Sequence, residues 1–153
     1  MTDRIYALFD KPYWIVDVLP EQVPRDAPGQ YPAAESYYLT QPRYSLLRGK
    51  YAEILIRLNC YFDLRVARGD GEEWELNPAP QALARAFAES GMTDRFLALA
   101  EPGPSLLVLN GDDTYMTVYD PTETLLRLLR PLAASAGLFL WKPEQDQEPE
   151  QDT

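Results

Sequence analysis

Proline is the residue that most constrains this chain. Fourteen of its 153 positions carry it, and each removes a backbone N–H and fixes φ, which limits how far a helix or a strand ladder can run. Pro20, Pro24, Pro28 and Pro32, with Gly29 between the last two, leave residues 20–32 an irregular extended path that sustains neither. Pro12 and Pro20 bracket Tyr13-Trp14-Ile15-Val16-Asp17-Val18-Leu19, whose aromatic and β-branched content reads as a strand. Pro42 ends a short helix expected over residues 33–39. Asn77-Pro78 and Asp120-Pro121 each set a capping side chain before a proline suited to the first helical position. Pro131 falls inside the second of these helices and predicts a kink or restart there.

Between the prolines, periodicity assigns the remaining elements. Residues 4–9 fit either one helical turn or a strand. Leu47, Tyr51, Ile54, Leu55, Leu58 and Tyr61 or Phe62 recur at helical spacing, so residues 43–61 are expected to form a helix with one buried face; Glu53 and Arg57 sit four apart on its other side. Residues 64–68 and 73–76 flank Gly69-Asp70-Gly71 as a hairpin. Leu83 and Phe87 mark a helix over residues 78–90, ended by Gly91. Residues 94–100 are read as a short helix capped by Thr93, although Phe96, Ala98 and Ala100 also alternate with Leu97 and Leu99. Leu106-Leu107-Val108-Leu109 is apolar on both faces, hence a central strand, and Asn110-Gly111-Asp112-Asp113 turns it into a strand over residues 115–119. Asp120, Pro121 and Glu123 resemble a capping box for a helix that buries Leu125, Leu128, Leu129 and Leu132 and ends at Gly137. Residues 138–141 form a last strand.

Hairpins interrupted by helices give a single α+β domain over residues 1–142, with a mixed, mostly antiparallel sheet of about five to six strands and helices largely on one face. Residues 143–153 contain nothing apolar and are expected to form a disordered acidic tail.

Composition narrows function by elimination. The chain has no histidine and one cysteine, Cys60, so histidine triads, a Cys-His dyad and multi-Cys/His zinc sites are excluded within it. Cys60, beside Tyr61 at a helix end, reads as a small buried hydrophobe with nothing to activate it. The formal charge is −10, half of it on Glu144, Asp146, Glu148, Glu150 and Asp152, and nucleic acid, which demands a basic face, is not an expected partner. No apolar run approaches the roughly 20 residues needed to span a bilayer. Lacking an internal disulfide and a leader-like start, the chain is expected in a reducing cytoplasm. No glycine-rich phosphate loop appears, and no cofactor is called for.

Three readings of function follow. The first is a non-catalytic acidic domain, of the inhibitor or immunity type, that binds a basic protein through Tyr31, Tyr37, Tyr38 and Tyr44 with Asp26 and Glu35 as rim charges; tyrosine offers large area with a polar tip, and surplus negative charge speeds encounter. The second is a magnesium- or manganese-dependent enzyme using Asp112, Asp113 and Asp120 or Asp17, since Asp112 and Asp113 are adjacent in a tight turn; Asn-Gly and Asp also simply make such a turn. Asp10, Asp17, Asp63, Asp112, Asp113 and Asp120 all lie near predicted strand ends, where two could converge as an acid/base pair. The third is a small-molecule sensor with an aromatic pocket between sheet and helices, recognisable by a deep cavity.

Overall fold

A computed structural model describes residues 2–144; apart from Pro143 and Glu144, the expected acidic tail lies outside the described residues. Twelve elements follow in order: α1 (Thr2–Leu8), β1 (Tyr13–Asp17), α2 (Tyr31–Tyr38), α3 (Arg43–Leu58), β2 (Asp63–Arg68), β3 (Glu75–Leu76), α4 (Pro80–Ala88), β4 (Arg95–Glu101), β5 (Ser105–Asn110), β6 (Met116–Tyr119), α5 (Glu123–Ser135) and β7 (Phe139–Trp141). The strands make one sheet in the order β3-β2-β4-β5-β6-β1-β7. Every pair is antiparallel, so the α+β domain is borne out with seven strands and no parallel pairing.

Alternation along the strands sorts side chains onto two faces. Val16, Leu64, Val66, Phe96, Ala98, Ala100, Leu107, Leu109, Met116 and Val118 meet the apolar sides of α3, α4 and α5 in the principal core. In α3 that side comprises Leu47, Tyr51, Ile54, Leu55 and Leu58, as the spacing predicts. On the opposite face, Leu97, Leu99, Leu106 and Val108 pack under Ile5 and Leu8 of α1. Residues 4–8 are therefore helical, because that helix seals a second, smaller core.

Four expectations need correction. Residues 95–101 are a strand: both faces of β4 are buried, one under the helices and one under α1, and only period two serves two faces at once. Asn77 does not cap α4, whose N-cap is Ala79; with φ of 50°, Asn77 accepts the Leu64 N–H at 2.9 Å and donates to Asp63 at 3.0 Å, fastening the start of β2. Asp120 is likewise displaced as a cap by Thr122, whose Oγ1 accepts the Leu125 N–H at 3.1 Å. Pro131 leaves α5 unbroken from Glu123 to Ser135, since Pro131 and Arg127 both lie on its exposed side and the carbonyl freed there meets water.

Candidate functional site

The second sheet face is divided. Its β4-β5 half is closed by α1, whereas over the β6-β1-β7 half only the first residues of α2, Tyr31 and Pro32, join the lining. There the proline-rich segment between β1 and α2 stands as a wall over the strands, and between them lies a cavity of about 840 Å³, within the roughly 300–1,000 Å³ usual for small-molecule sites. Ile15, Thr117 and Trp141 form its floor as cross-strand neighbours. Tyr13, Tyr31, Tyr115 and Tyr119 line it, with Phe9 set edge-on to Tyr119 at 5.0 Å. The loop is tied down at its start, where the Trp141 indole Nε1–H donates to the Leu19 carbonyl at 3.0 Å.

Three carboxyl groups belong to the lining: Glu21 on the proline-rich segment, Asp17 from the end of β1 and Asp113 from the β5-β6 turn. Asp17 is only 6% exposed. Its Oδ1 accepts the Val18 N–H at 2.7 Å and the Thr114 hydroxyl at 3.4 Å. Burial nevertheless holds its pKa above the ordinary aspartate value, and the Asp113 charge adds to the rise. Asp113 accepts from the Asn110 side-chain amide at 3.2 Å and is also raised, first by burial and then by Asp112 and Glu35. The Tyr115 phenol is pushed up to about 12 by burial, with Asp113, Tyr31 and Asp17 adding to it; Tyr31 is raised by burial and by Glu35, Asp17 and Asp113. At neutral pH these phenols remain protonated donors beside two acids.

One face of α3 holds the turn that presents Asp113. The Tyr44 hydroxyl donates to the Gly111 carbonyl at 2.8 Å, Arg48 Nη1 donates to the Asn110 carbonyl at 3.1 Å, and the Tyr51 hydroxyl reaches the Thr114 carbonyl at 2.7 Å. Spacings of four and three residues put all three side chains in one row. Arg48, 1% exposed, also donates to the Ser90 hydroxyl at 3.1 Å and lies over the Tyr44 ring. Gly111 fits only without a side chain, because a Cβ there would collide with the Gly91 carbonyl oxygen.

The expected tyrosine surface is split by this arrangement. Tyr31 and Tyr37 are exposed, and the Arg43 guanidinium stacks 3.9 Å from the Tyr37 ring centroid. Tyr38 is half-buried against the principal core, whereas Tyr44 is buried and serves the turn, so it is withdrawn from any partner surface. Asp26 is exposed and Glu35 half-buried. Cys60 is exposed, contrary to the buried reading, because it follows the last buried turn of α3. Asp112 and Asp113 lie at the opposite end of β6 from Asp120, and among the described residues no group of three His, Cys, Asp or Glu is placed to hold a metal ion. Among those residues, too, no helix is long and apolar enough to cross a membrane.

What sequence reasoning missed is the meeting of Asp17, Tyr31, Asp113, Tyr115 and Trp141. The available signal was modest: Tyr13, Ile15 and Asp17 alternate with core residues along β1, so a second partly apolar face was there to be filled. No protein-family model matches the chain, and neither a curated protein nor a solved structure proves similar to it. The site therefore rests on its own geometry.

Proposed function

We propose that this chain is a binding protein whose cleft between the proline-rich segment and the open half of the sheet receives a small organic molecule. The observation that carries the reading is the cavity itself: about 840 Å³, floored by Trp141 and Thr117 and walled by four tyrosines. Tyrosine and tryptophan give a ligand large apolar contact and keep a polar tip for orientation. Among the described residues the lining contains no lysine, cysteine or histidine, so none of them is suited to covalent catalysis by an amine or thiol. The cleft lies on the sheet face away from the principal core, not between the sheet and its main helices where the sequence suggested a pocket.

The test uses neutral aromatic fragments such as phenol and indole, followed by amide and indole NMR shifts. Changes confined to residues 13–19, 113–119 and 139–141 are expected. Shifts scattered elsewhere, or none at millimolar concentration, would overturn the reading.

A basic protein partner is the second reading, favoured by the exposure of Tyr31, Tyr37 and Asp26. Its electrostatic part predicts capture that weakens as salt rises, and a Tyr37→Ala variant that retains capture would count against it.

A further inference from the structure

Resting on the cleft as a ligand site, we propose that its ligand class is the organic cation: an ammonium group carried on an aromatic or aliphatic body. Three observations converge on this chemistry. First, Asp17 is buried at the cleft wall and Asp113 half-buried beside it, yet among the described residues neither takes part in an ion pair. A desolvated carboxylate is costly unless a cation compensates it. The protein supplies hydrogen bonds from Val18, Thr114 and Asn110 but no opposite charge against either group.

Second, the surrounding surface is aromatic on several sides: Phe9, Tyr13, Tyr31, Tyr115, Tyr119 and Trp141. The faces of such rings attract a cation and leave its alkyl substituents in apolar contact. Third, the balance of charge in the lining is negative, with Asp17, Glu21 and Asp113 against Arg25. Arg25 is exposed on the loop, and Arg95 lies over the Phe9 ring and is not part of the lining. An anionic ligand would meet two desolvated acids with one exposed arginine to offset them. A neutral one would leave both acids uncompensated.

Three probes of nearly one size separate the possibilities: 2-phenylethylammonium, 2-phenylethanol and phenylacetate, titrated at neutral pH and followed by the Val18 and Thr117 amides and the Trp141 indole N–H. The cation is expected to bind at least about tenfold more tightly than the alcohol, a difference that a compensated carboxylate supplies, and phenylacetate most weakly. Asp113→Asn and Asp17→Asn should each narrow the gap between cation and alcohol, by weakening the cation and sparing or strengthening the alcohol; retained alcohol binding also reports that the variant is folded. Equal affinities for cation and alcohol, a preference for phenylacetate, or a cation preference that survives in both variants would overturn the ligand class and leave the cleft intact as a binding site. Silence of all three reporters toward all three probes would remove the cleft reading with it.

Discussion

One face of the sheet ends in two ways. Over β4 and β5, Leu97, Leu99, Leu106 and Val108 are sealed by Ile5 and Leu8 of α1. Over β6, β1 and β7, Ile15, Thr117 and Trp141 face an open cleft walled by prolines. Both halves belong to one antiparallel sheet and both begin with strand residues that alternate inward and outward. The difference lies in the cover. A seven-residue helix can press two aliphatic side chains flat against a strand pair, whereas a segment with a proline at every fourth position cannot form a helix and holds its backbone away from the strands. Sealing gives stability, and standing off leaves a volume with polar groups in its walls.

If that contrast is right, deletions should weigh unequally on the two halves. Leu99→Ala in the sealed half should lower the unfolding free energy by about 2–5 kcal/mol, the usual cost of emptying an aliphatic site that cannot collapse, whereas Tyr13→Ala, at 41% exposure in the open half, should cost under about 1 kcal/mol as a surface change does. Denaturant titration of both variants checks this, and similar losses would erase the distinction. Next in size is Gly111→Ala. A Cβ there meets the Gly91 carbonyl oxygen and comes to 2.7 Å from the Met92 carbonyl carbon, both unyielding backbone, so a loss of about 1–3 kcal/mol is expected from overpacking. Because this turn carries Asp113, the same variant should also disturb the Asp113 and Thr114 amide resonances of the open half.

The two halves were not equally legible in the sequence. Core helices announce themselves through repeated apolar spacing, as Leu47, Tyr51, Ile54, Leu55 and Leu58 do, and the Leu106–Leu109 run reads as a strand buried on both sides. β4 was misread because Phe96 to Ala100 are apolar at every position, so helix and strand periods both fit; only the presence of α1 on the far face decides between them. The caps Asn77 and Asp120 were misassigned for another reason. Asparagine and aspartate also tolerate a positive φ, and at 50° and 53° both serve as corners while Ala79 and Thr122 begin the helices. The open half was least legible. Asp17 and Asp113 are 96 positions apart, and their approach depends on β1 pairing with β6 and on Tyr44, Arg48 and Tyr51 fixing the turn. Tyr44 was expected at a surface because nothing in its neighbours reveals the Gly111 carbonyl that its hydroxyl reaches.

The acids of the open half make a pH-dependent claim that the sealed half does not. Burial raises the folded-state pKa of Asp17 above 3.8, its ordinary value, and that of Asp113 likewise. A raised carboxyl favours the protonated folded state, so the stability it contributes is complete below the ordinary value and is lost as pH climbs through the raised one. Asp17→Asn, which retains an oxygen to accept the Val18 N–H, should therefore match the wild type in acid and exceed it at neutral pH. Melting temperatures recorded across that range test the sign. A variant less stable than wild type at neutral pH would mean that the Asp17 charge is compensated in the folded protein, and the open half would lose its distinguishing feature.

The smallest effect concerns what holds the cleft's wall in place. The Trp141 indole donates to the Leu19 carbonyl at 3.0 Å, a bond from the edge strand β7 to the first turn of the proline segment. Trp141→Phe keeps an aromatic ring on the floor and removes this donor. A single partly buried hydrogen bond contributes about 0.5–1.5 kcal/mol, and here it ties a local segment, so the global unfolding midpoint should move little. Amide exchange should discriminate: residues 18–27 are expected to lose protection while Leu97, Leu99, Leu106 and Val108 keep theirs, because local opening of an irregular segment leaves the sealed core unaffected. Faster exchange in both halves would mean that the wall and the sealed core open together, and that the sheet face is one cooperative unit despite its two covers.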